Sequence, residues 1–396
     1  MSATVTILGA GRIGHAMALD MLAMGHDVTV LDACDDSLEQ LQSHHRRPAS
    51  GPSAGALAVQ RVDLSAPAAI TDHVRAADLV LGALPSHLGL AALDAVIDAG
   101  RPYCDISFMA ENPLTRHDRA RQRSATVVVD CGVAPGLSNL LAGRACALLD
   151  RTDRIDILVG GLPKIRRAPF EYKAGFSPDD VLEEYTRPVH RRTHGRIEVC
   201  DALSEPEPVD FPETGTLEAF NTDGLRSLLH TLDVPTMTEK TLRYPGHAAL
   251  MRTLRDIGLL SSETEPIGGV PIAPRRVLRH LLERHWRYEP GEADLTLLRV
   301  RAAGRDAEGL PVTHQWDLYD EYDPAADLSS MARTTAFACT AMAQTILDGT
   351  LTAPGVRAPE QLAADTAVHD AVIEHMRRRN ITIRHNTTPM LEPPPG

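Results

Sequence analysis

Over the first 130 residues, apolar and polar positions fall into short alternating blocks. Runs rich in β-branched and apolar residues predict strands at Val5–Leu8, Asp27–Leu31, Ala58–Val62, Asp78–Gly82, Pro102–Asp105 and Thr126–Asp130. Between them, apolar residues recur at helical spacing, as in Ile13, Ala16, Met17, Leu19 and Leu22. Further helices are predicted at 37–44, 66–75, 87–99 and 111–123, with a Pro/Ser/Gly-rich loop at 48–55. Strict alternation of strand and helix implies a parallel sheet with right-handed crossovers. In such sheets a ligand sits beyond the carboxyl ends of the strands.

The first strand runs into glycines at 9, 11 and 14, and the second ends in an acid at 32. This strand–glycine loop–helix–strand unit binds a dinucleotide. Gly9 permits a tight turn, Gly11 lets the backbone approach a pyrophosphate, and Gly14 lets the helix pack on the strand. Arg12 and Ile13 bring the first free helix amides to the phosphates. Asp32, 18 residues after Gly14, is placed to accept both ribose hydroxyls and to repel a 2′-phosphate, so NAD is expected. The same strand ends carry Asp63, Leu64, Ala83, Leu84, Pro85, Asp105 and the turn through Pro135 and Gly136, whose backbone would face the nicotinamide.

After residue 150 the pattern changes. Strand-like runs at 154–159, 196–199, 294–302 and 314–319 mix with helical ones at 178–185, 222–232, 248–257 and 274–282. An Ala-rich helix at 328–348 and a Pro-rich tail from 385, expected to fray, follow. The expected fold is α/β: an N-terminal Rossmann-type doubly wound parallel sheet plus an α+β substrate domain with a mainly antiparallel sheet. The NAD-binding domain is expected over 1–125, completed by 328–396. A substrate-binding and dimerisation domain is expected over 126–327.

The length of 396 residues fits two domains, and 43% hydrophobic residues supply an ordinary core. A net charge of −13 argues against nucleic acid or an anionic membrane as partner. Neither a membrane span nor a signal peptide is expected. The six cysteines form no CxxC pair, which fits a reducing cytoplasm and gives no zinc or other metal site. His44 and His45 read as solvated surface.

Four further segments carry information: Asp130-Cys-Gly-Val-Ala-Pro-Gly-Leu-Ser-Asn139, Phe170-Glu-Tyr-Lys-Ala-Gly-Phe-Ser177, Leu217-Glu-Ala-Phe-Asn-Thr-Asp-Gly224 and Thr241-Leu-Arg-Tyr-Pro-Gly-His247. In this order, after the dinucleotide unit, they resemble the saccharopine dehydrogenase-like family over about residues 3–385. Within it they look most like the lysine 6-dehydrogenases. The resemblance implies NAD-dependent oxidative deamination of the ε-amino group of L-lysine to 2-aminoadipate 6-semialdehyde, which cyclises to a piperideine carboxylate, by a homodimer. Ile106–Pro113 departs from the glycine-rich segment of the lysine 6-dehydrogenases. One alternative is a saccharopine reductase or other imine-forming amino-acid dehydrogenase. Another is a non-catalytic NAD-binding sensor.

Amine oxidation needs a base, a hydride acceptor and a cation for the substrate carboxylate. Asp105, at a strand end, is a candidate to hold the ammonium or relay its proton, or else a turn cap. His247 is the candidate base, because an unperturbed imidazole titrates near neutrality. A structural histidine is the alternative. Tyr172 is a candidate hydrogen-bond donor to the substrate. Arg243 is the first choice for the carboxylate and Lys173 the second. Glu218 would bind the α-ammonium or pair with Arg243, and Cys131 would pack or take part in catalysis.

Overall fold

Strand β1 (Thr4–Leu8) is buried at every position after Thr4, which its unbroken apolar run requires once neighbours flank it on both sides. The structure, a computed structural model, describes residues 2–46, 55–175 and 177–389. Most of the 48–55 loop, Phe176 and the last residues of the tail lie outside these. From β1 the chain alternates through α1 (Arg12–Ala23), β2 (Asp27–Asp32), α2 (Asp35–His45), β3 (Leu57–Arg61), α3 (Pro67–Val74), β4 (Leu79–Gly82) and α4 (Ser86–Asp98). It continues through β5 (Tyr103–Asp105), α5 (His117–Gln122), β6 (Thr126–Val128) and α6 (Leu137–Leu148). The seven-stranded sheet has the order Gly355–Arg357 strand, β6, β5, β4, β1, β2, β3, and its pairings are parallel. The strand order reverses at β1 and β4, so the loops after these two strands form the crevice in which such sheets bind ligands.

Two sequence expectations need correction in this part. The helix expected over 111–123 is a 3₁₀ turn at Pro113–Arg116 followed by the short α5. The Asn112 side chain accepts from the Leu114 amide, and Arg116 and Arg119 bind Asp94 on α4; these bonds fix a turn where periodicity alone suggests helix. His44 is not solvated. It is buried on α2, with its Nδ1 2.7 Å from Nε2 of His15 on α1.

The chain divides into two compact units, the first running through Leu148 and taking in Pro324–Leu328 and Ala332–Ile383, and the second holding Leu149–Asp323, Ser329–Met331 and the chain from Arg384. The first unit thus runs past residue 125 to include β6 and α6.

In the second unit the elements are β7 (Arg151–Pro163), α7 (Pro178–Glu184), β8 (Val189–Thr193), β9 (Arg196–Cys200), β10 (Glu207–Phe211), β11 (Gly215–Asn221), α8 (Leu228–Thr231) and β12 (Thr236–Arg243). Then come α9 (His247–Asp256), the hairpin β13 (Glu265–Ile267) and β14 (Val270–Ile272), α10 (Pro274–Trp286), β15 (Asp294–Arg305) and β16 (Pro311–Glu321). The chain then forms α11 (Ser330–Leu347), β17 (Gly355–Arg357), α12 (Thr366–Arg378) and β18 (Ile383–Pro389). The second sheet has nine strands, with the path β10, β11, β12, β7, β15, β16, β18 and the β8–β9 hairpin beside β12. It is mixed: β12 and β7 run parallel, the other recorded pairs antiparallel.

Helices cover the sheet face that carries Phe220, where Tyr185, Ala248, Met251, Leu278, Leu282 and Trp286 form one apolar cluster. On α10 the spacing of Leu278, Leu282 and Trp286 puts all three on one face. Burying side chains of this size stabilises by about 1.5–3 kcal/mol each.

Two more expectations fail here. The helix expected over 222–232 shrinks to α8, because Thr222 bonds Glu239 and Asp223 caps the His190 amide. The tail does not fray at 385: residues through Pro389 lie in β18 at the sheet edge.

Candidate functional site

In the first unit, backbone geometry builds the cofactor loop. Gly9 has φ +103°, and a Cβ there would lie 2.5 Å from the Ala83 carbonyl oxygen. A Cβ on Gly14 would lie 2.0 Å from the Gly9 oxygen. Both glycines are therefore demanded by the protein itself. Gly11 differs, since a Cβ there meets nothing within 4 Å. It begins α1 with no side-chain cap and no acid in the first turn. The amides around Arg12 and Ile13 thus present the positive end of α1 to an anion.

At the end of β2, the Asp32 carboxylate accepts from the Ala10 amide at 2.6 Å and the Cys34 amide at 2.7 Å. Asp63 is exposed and turns back on Ser65, whose hydroxyl and amide hold its carboxyl below the usual range. Leu64 packs into the core. Ala83 closes on the glycine loop, Leu84 accepts from the Ser107 hydroxyl, and Pro85 begins α4. Gly136 closes the Gly132–Gly136 turn so tightly that a Cβ would lie 1.9 Å from the Gly132 oxygen. Pro135 lies inside that turn, with its oxygen 3.1 Å from where a Cβ on Gly132 would be.

Asp105 stands at the strand end, but it is fully buried. One oxygen accepts from the Ser107 hydroxyl at 2.8 Å, and the other has no hydrogen-bond partner among the described residues. Burial pushes its carboxyl up to about 7. It can hold a proton near neutrality, but no part of it is exposed. Cys131 is buried too, its thiol donating to the Val128 oxygen at 3.4 Å.

In the second unit, β12 places Arg243 on the helix-covered face, and Tyr172 and the Glu184–Tyr185 segment close around it. Arg243 is 3% exposed. Its guanidinium lies over the Tyr172 ring, 4.4 Å from its centroid. Its Nη1 donates to the Leu242 oxygen at 2.9 Å, its Nε to the Tyr185 hydroxyl at 3.3 Å, and its Nη2 to Glu184 at 3.4 Å. The carboxylate contact is the longest of the three. Burial pushes Glu184 up to about 7 despite the nearby arginine.

His247 is held from both sides. Its Nδ1 donates to the Phe170 carbonyl at 3.1 Å, so its Nε2 accepts from the Tyr185 hydroxyl at 3.0 Å. Burial and the nearby Arg243 push the imidazole down to about 3. The ground on which His247 was expected to act as base, titration near neutrality, is therefore absent. The structure makes it a neutral residue that orients Tyr185.

Lys173 and Glu218 are engaged elsewhere. Lys173 pairs with Glu292 and donates to the Arg287 oxygen. Glu218 accepts from the Ala248 amide at 3.0 Å, at the N-terminus of α9. Of the residues singled out from sequence, the structure brings together Tyr172, Arg243 and His247. Glu184, Tyr185 and Glu239 were missed. Glu239 is buried and accepts from Thr222 at 2.8 Å, and burial pushes it up to about 8. Its signal was Gly224 in the Leu217–Gly224 segment, where a Cβ would lie 2.4 Å from the Glu239 carboxyl carbon. Among the described residues no group of three His, Cys, Asp or Glu is placed to hold a metal ion.

Two family profiles cover most of the chain: the saccharopine dehydrogenase C-terminal domain over residues 132–381 and the saccharopine dehydrogenase NADP binding domain over residues 5–128. The chain belongs to the saccharopine dehydrogenase family. One relative is saccharopine dehydrogenase [NADP(+), L-glutamate-forming] of Saccharomyces cerevisiae, 22% identical over 91% of this chain and 94% of that protein. Another is alpha-aminoadipic semialdehyde synthase of Arabidopsis thaliana, 24% identical over 66% of this chain. The chain spans only 27% of that longer protein. In fold, the chain is similar to apo saccharopine dehydrogenase (L-Glu forming) from Saccharomyces cerevisiae, with a TM-score of 0.78 at 19% identity, covering 98% of this chain and 100% of that one.

Proposed function

We propose that this family member is an NAD-dependent dehydrogenase acting on a CH–NH₂ carbon. Its substrate is the ε-amino group of L-lysine, and its products are ammonia and 2-aminoadipate 6-semialdehyde, which cyclises to piperideine-6-carboxylate. The observation that carries this reading is Arg243. A buried guanidinium whose carboxylate partner is its longest contact is suited to exchange that partner for a substrate carboxylate. Glu184, half protonated near neutrality, gives way readily.

A bound nicotinamide would supply the hydride acceptor. Gly11 and the first amides of α1 fit a pyrophosphate, and Asp32, fixed by two amides, fits a ribose diol better than a phosphate. Arg243 binds the α-carboxylate, the Tyr172 ring supports the guanidinium, and His247 aims the Tyr185 hydroxyl at it. Asp105 stores a proton beside Ser107. The amine must be neutral to release hydride, so turnover rises with pH until the amine is deprotonated. A homodimer and a cytoplasmic location go with this reading. Among the described residues no helix is long and apolar enough to cross a membrane.

The nearly full-length match to the yeast enzyme favours a second reading, oxidation of the secondary amine of saccharopine. Incubation with NAD and lysine labelled with ¹⁵N at the ε position separates the two. Labelled ammonia, a cyclic imine and NADH are expected. NADH from saccharopine with none from lysine would establish the second reading. Cofactor binding without turnover of any amine would establish a sensor.

A further inference from the structure

The carboxyl ends of β2 and β3 place two opposite charges side by side. Asp32 and Arg61 are register partners across the two parallel strands, whose axes lie about 4.8 Å apart. Asp32 is immobilised by the Ala10 and Cys34 amides. Arg61 is not bonded to Asp32. Its guanidinium reaches Asp35, in the first turn of α2, at 3.2 Å. The two side chains are 70% and 57% exposed. An exposed pair of this kind holds its partners weakly and exchanges them readily. An arginine beside the ribose-binding acid is the group that accommodates a 2′-phosphate in dinucleotide-binding sheets. Here it is satisfied internally.

We propose that Asp35 is a specificity residue for the cofactor, acting by occupying Arg61. Asp32 recognises the ribose diol. Asp35 keeps the neighbouring guanidinium from serving as a phosphate receptor. The inference rests on the NAD reading and extends it, since it assigns the choice to a pair of residues rather than to Asp32 alone. It also reconciles the NAD reading with the match to an NADP-binding profile: the cation for the phosphate is present but held by a carboxylate.

Binary binding of NADH and NADPH, followed by nicotinamide fluorescence with no amine present, tests this without turnover. The variants are Asp35→Asn and Asp35→Asn/Arg61→Ala. Asp35→Asn is expected to lower the Kd for NADPH about fivefold, the upper end of what releasing an exposed ion pair yields. In the double variant that gain should disappear to within about twofold of the wild-type value, because it needs the freed guanidinium. No gain in Asp35→Asn overturns the proposal. A gain that survives removal of Arg61 overturns it as well, since Asp35 would then act only by direct repulsion. Wild-type protein that binds NADPH as tightly as NADH sinks the NAD reading itself, a result distinct from both.

Discussion

The glycine loop of the first unit and the arginine cluster of the second each present positive charge, but by different means. The loop is local: six consecutive residues and the end of β4 set it, and its demands are on the backbone. The cluster draws Tyr172, Glu184 with Tyr185, Arg243 and His247 from segments up to 75 residues apart, and its demands are on side chains. A local backbone device can be read from sequence because each glycine answers a nearby clash. A cluster of distant side chains has no such spacing rule, and the partners of Arg243 emerge only from the packing of α7 and α9 on β12.

The loop offers the sharpest test of that contrast, since it holds glycines of two kinds. Gly9→Ala meets both a positive φ and an atom 2.5 Å away, and Gly14→Ala meets one at 2.0 Å. Each should destabilise the protein by about 2–5 kcal/mol. Gly11→Ala meets no protein atom and sits at an ordinary φ of −63°. Its stability should change by less than about 1 kcal/mol, while cofactor affinity falls at least about tenfold. Denaturant unfolding and NADH titration on the three variants check this. Equal losses of stability in all three would erase the distinction.

In the cluster, Arg243→Ala should weaken binding of the amino-acid substrate by about 2–4 kcal/mol. NADH affinity should stay near wild type. Arg243→Lys should not restore binding, because an ammonium lacks the planar fork that engages both carboxylate oxygens. Steady-state KM for lysine and direct NADH titration read the two effects apart. An unchanged KM in Arg243→Ala would move the anchor elsewhere.

The two regions also differed in legibility. The alternation of the first unit was legible because its central strands β1 and β4 are almost entirely buried and apolar and turn residues separate its elements. The second unit hid β12: it buries Glu239, Lys240 and Arg243 in sequence, so its polarity mimics a loop. Short β17, β8 and the β10 edge carried too few apolar residues to register. The sequence singled out Arg243 and His247 but not their partners Glu184 and Tyr185, and it misjudged the protonation of His247, because burial and a nearby cation, neither visible in the chain, decide it.

Buried titrating groups on β12 and α9 make stability depend on pH in opposite senses. Glu239 has a folded value raised to about 8, so the folded state binds more protons than the unfolded one. Its contribution is complete below about pH 4.5 and is lost as pH rises towards 8, at up to about 1.4 kcal/mol per pH unit. His247, lowered to about 3, works the other way: stability is gained from about pH 3 to 6.5. The two offset each other between about pH 4.5 and 6.5, and above that Glu239 acts without the histidine's opposition. Glu239→Gln should therefore flatten the fall in stability between pH 6.5 and 8. Urea midpoints across this range decide it, and parallel profiles for the two proteins would place the titration on another group.

The smallest effect expected is at Glu218, which sequence alone offered as a ligand for the α-ammonium. Its carboxylate instead satisfies the Ala248 amide at the start of α9. A negative charge there meets both an unpaired helix donor and the positive end of the helix dipole. Glu218→Ala should cost about 0.5–2 kcal/mol of stability, the range for losing an N-terminal cap. The KM for lysine should stay within about twofold of wild type, because the residue is spent on the helix. Since α9 begins at His247, which orients Tyr185, a modest loss of kcat from a loosened first turn fits this role, whereas a ligand for the ammonium would show itself in KM. Thermal unfolding and steady-state kinetics on the one variant distinguish the two. A KM raised more than tenfold at unchanged stability would return Glu218 to the substrate.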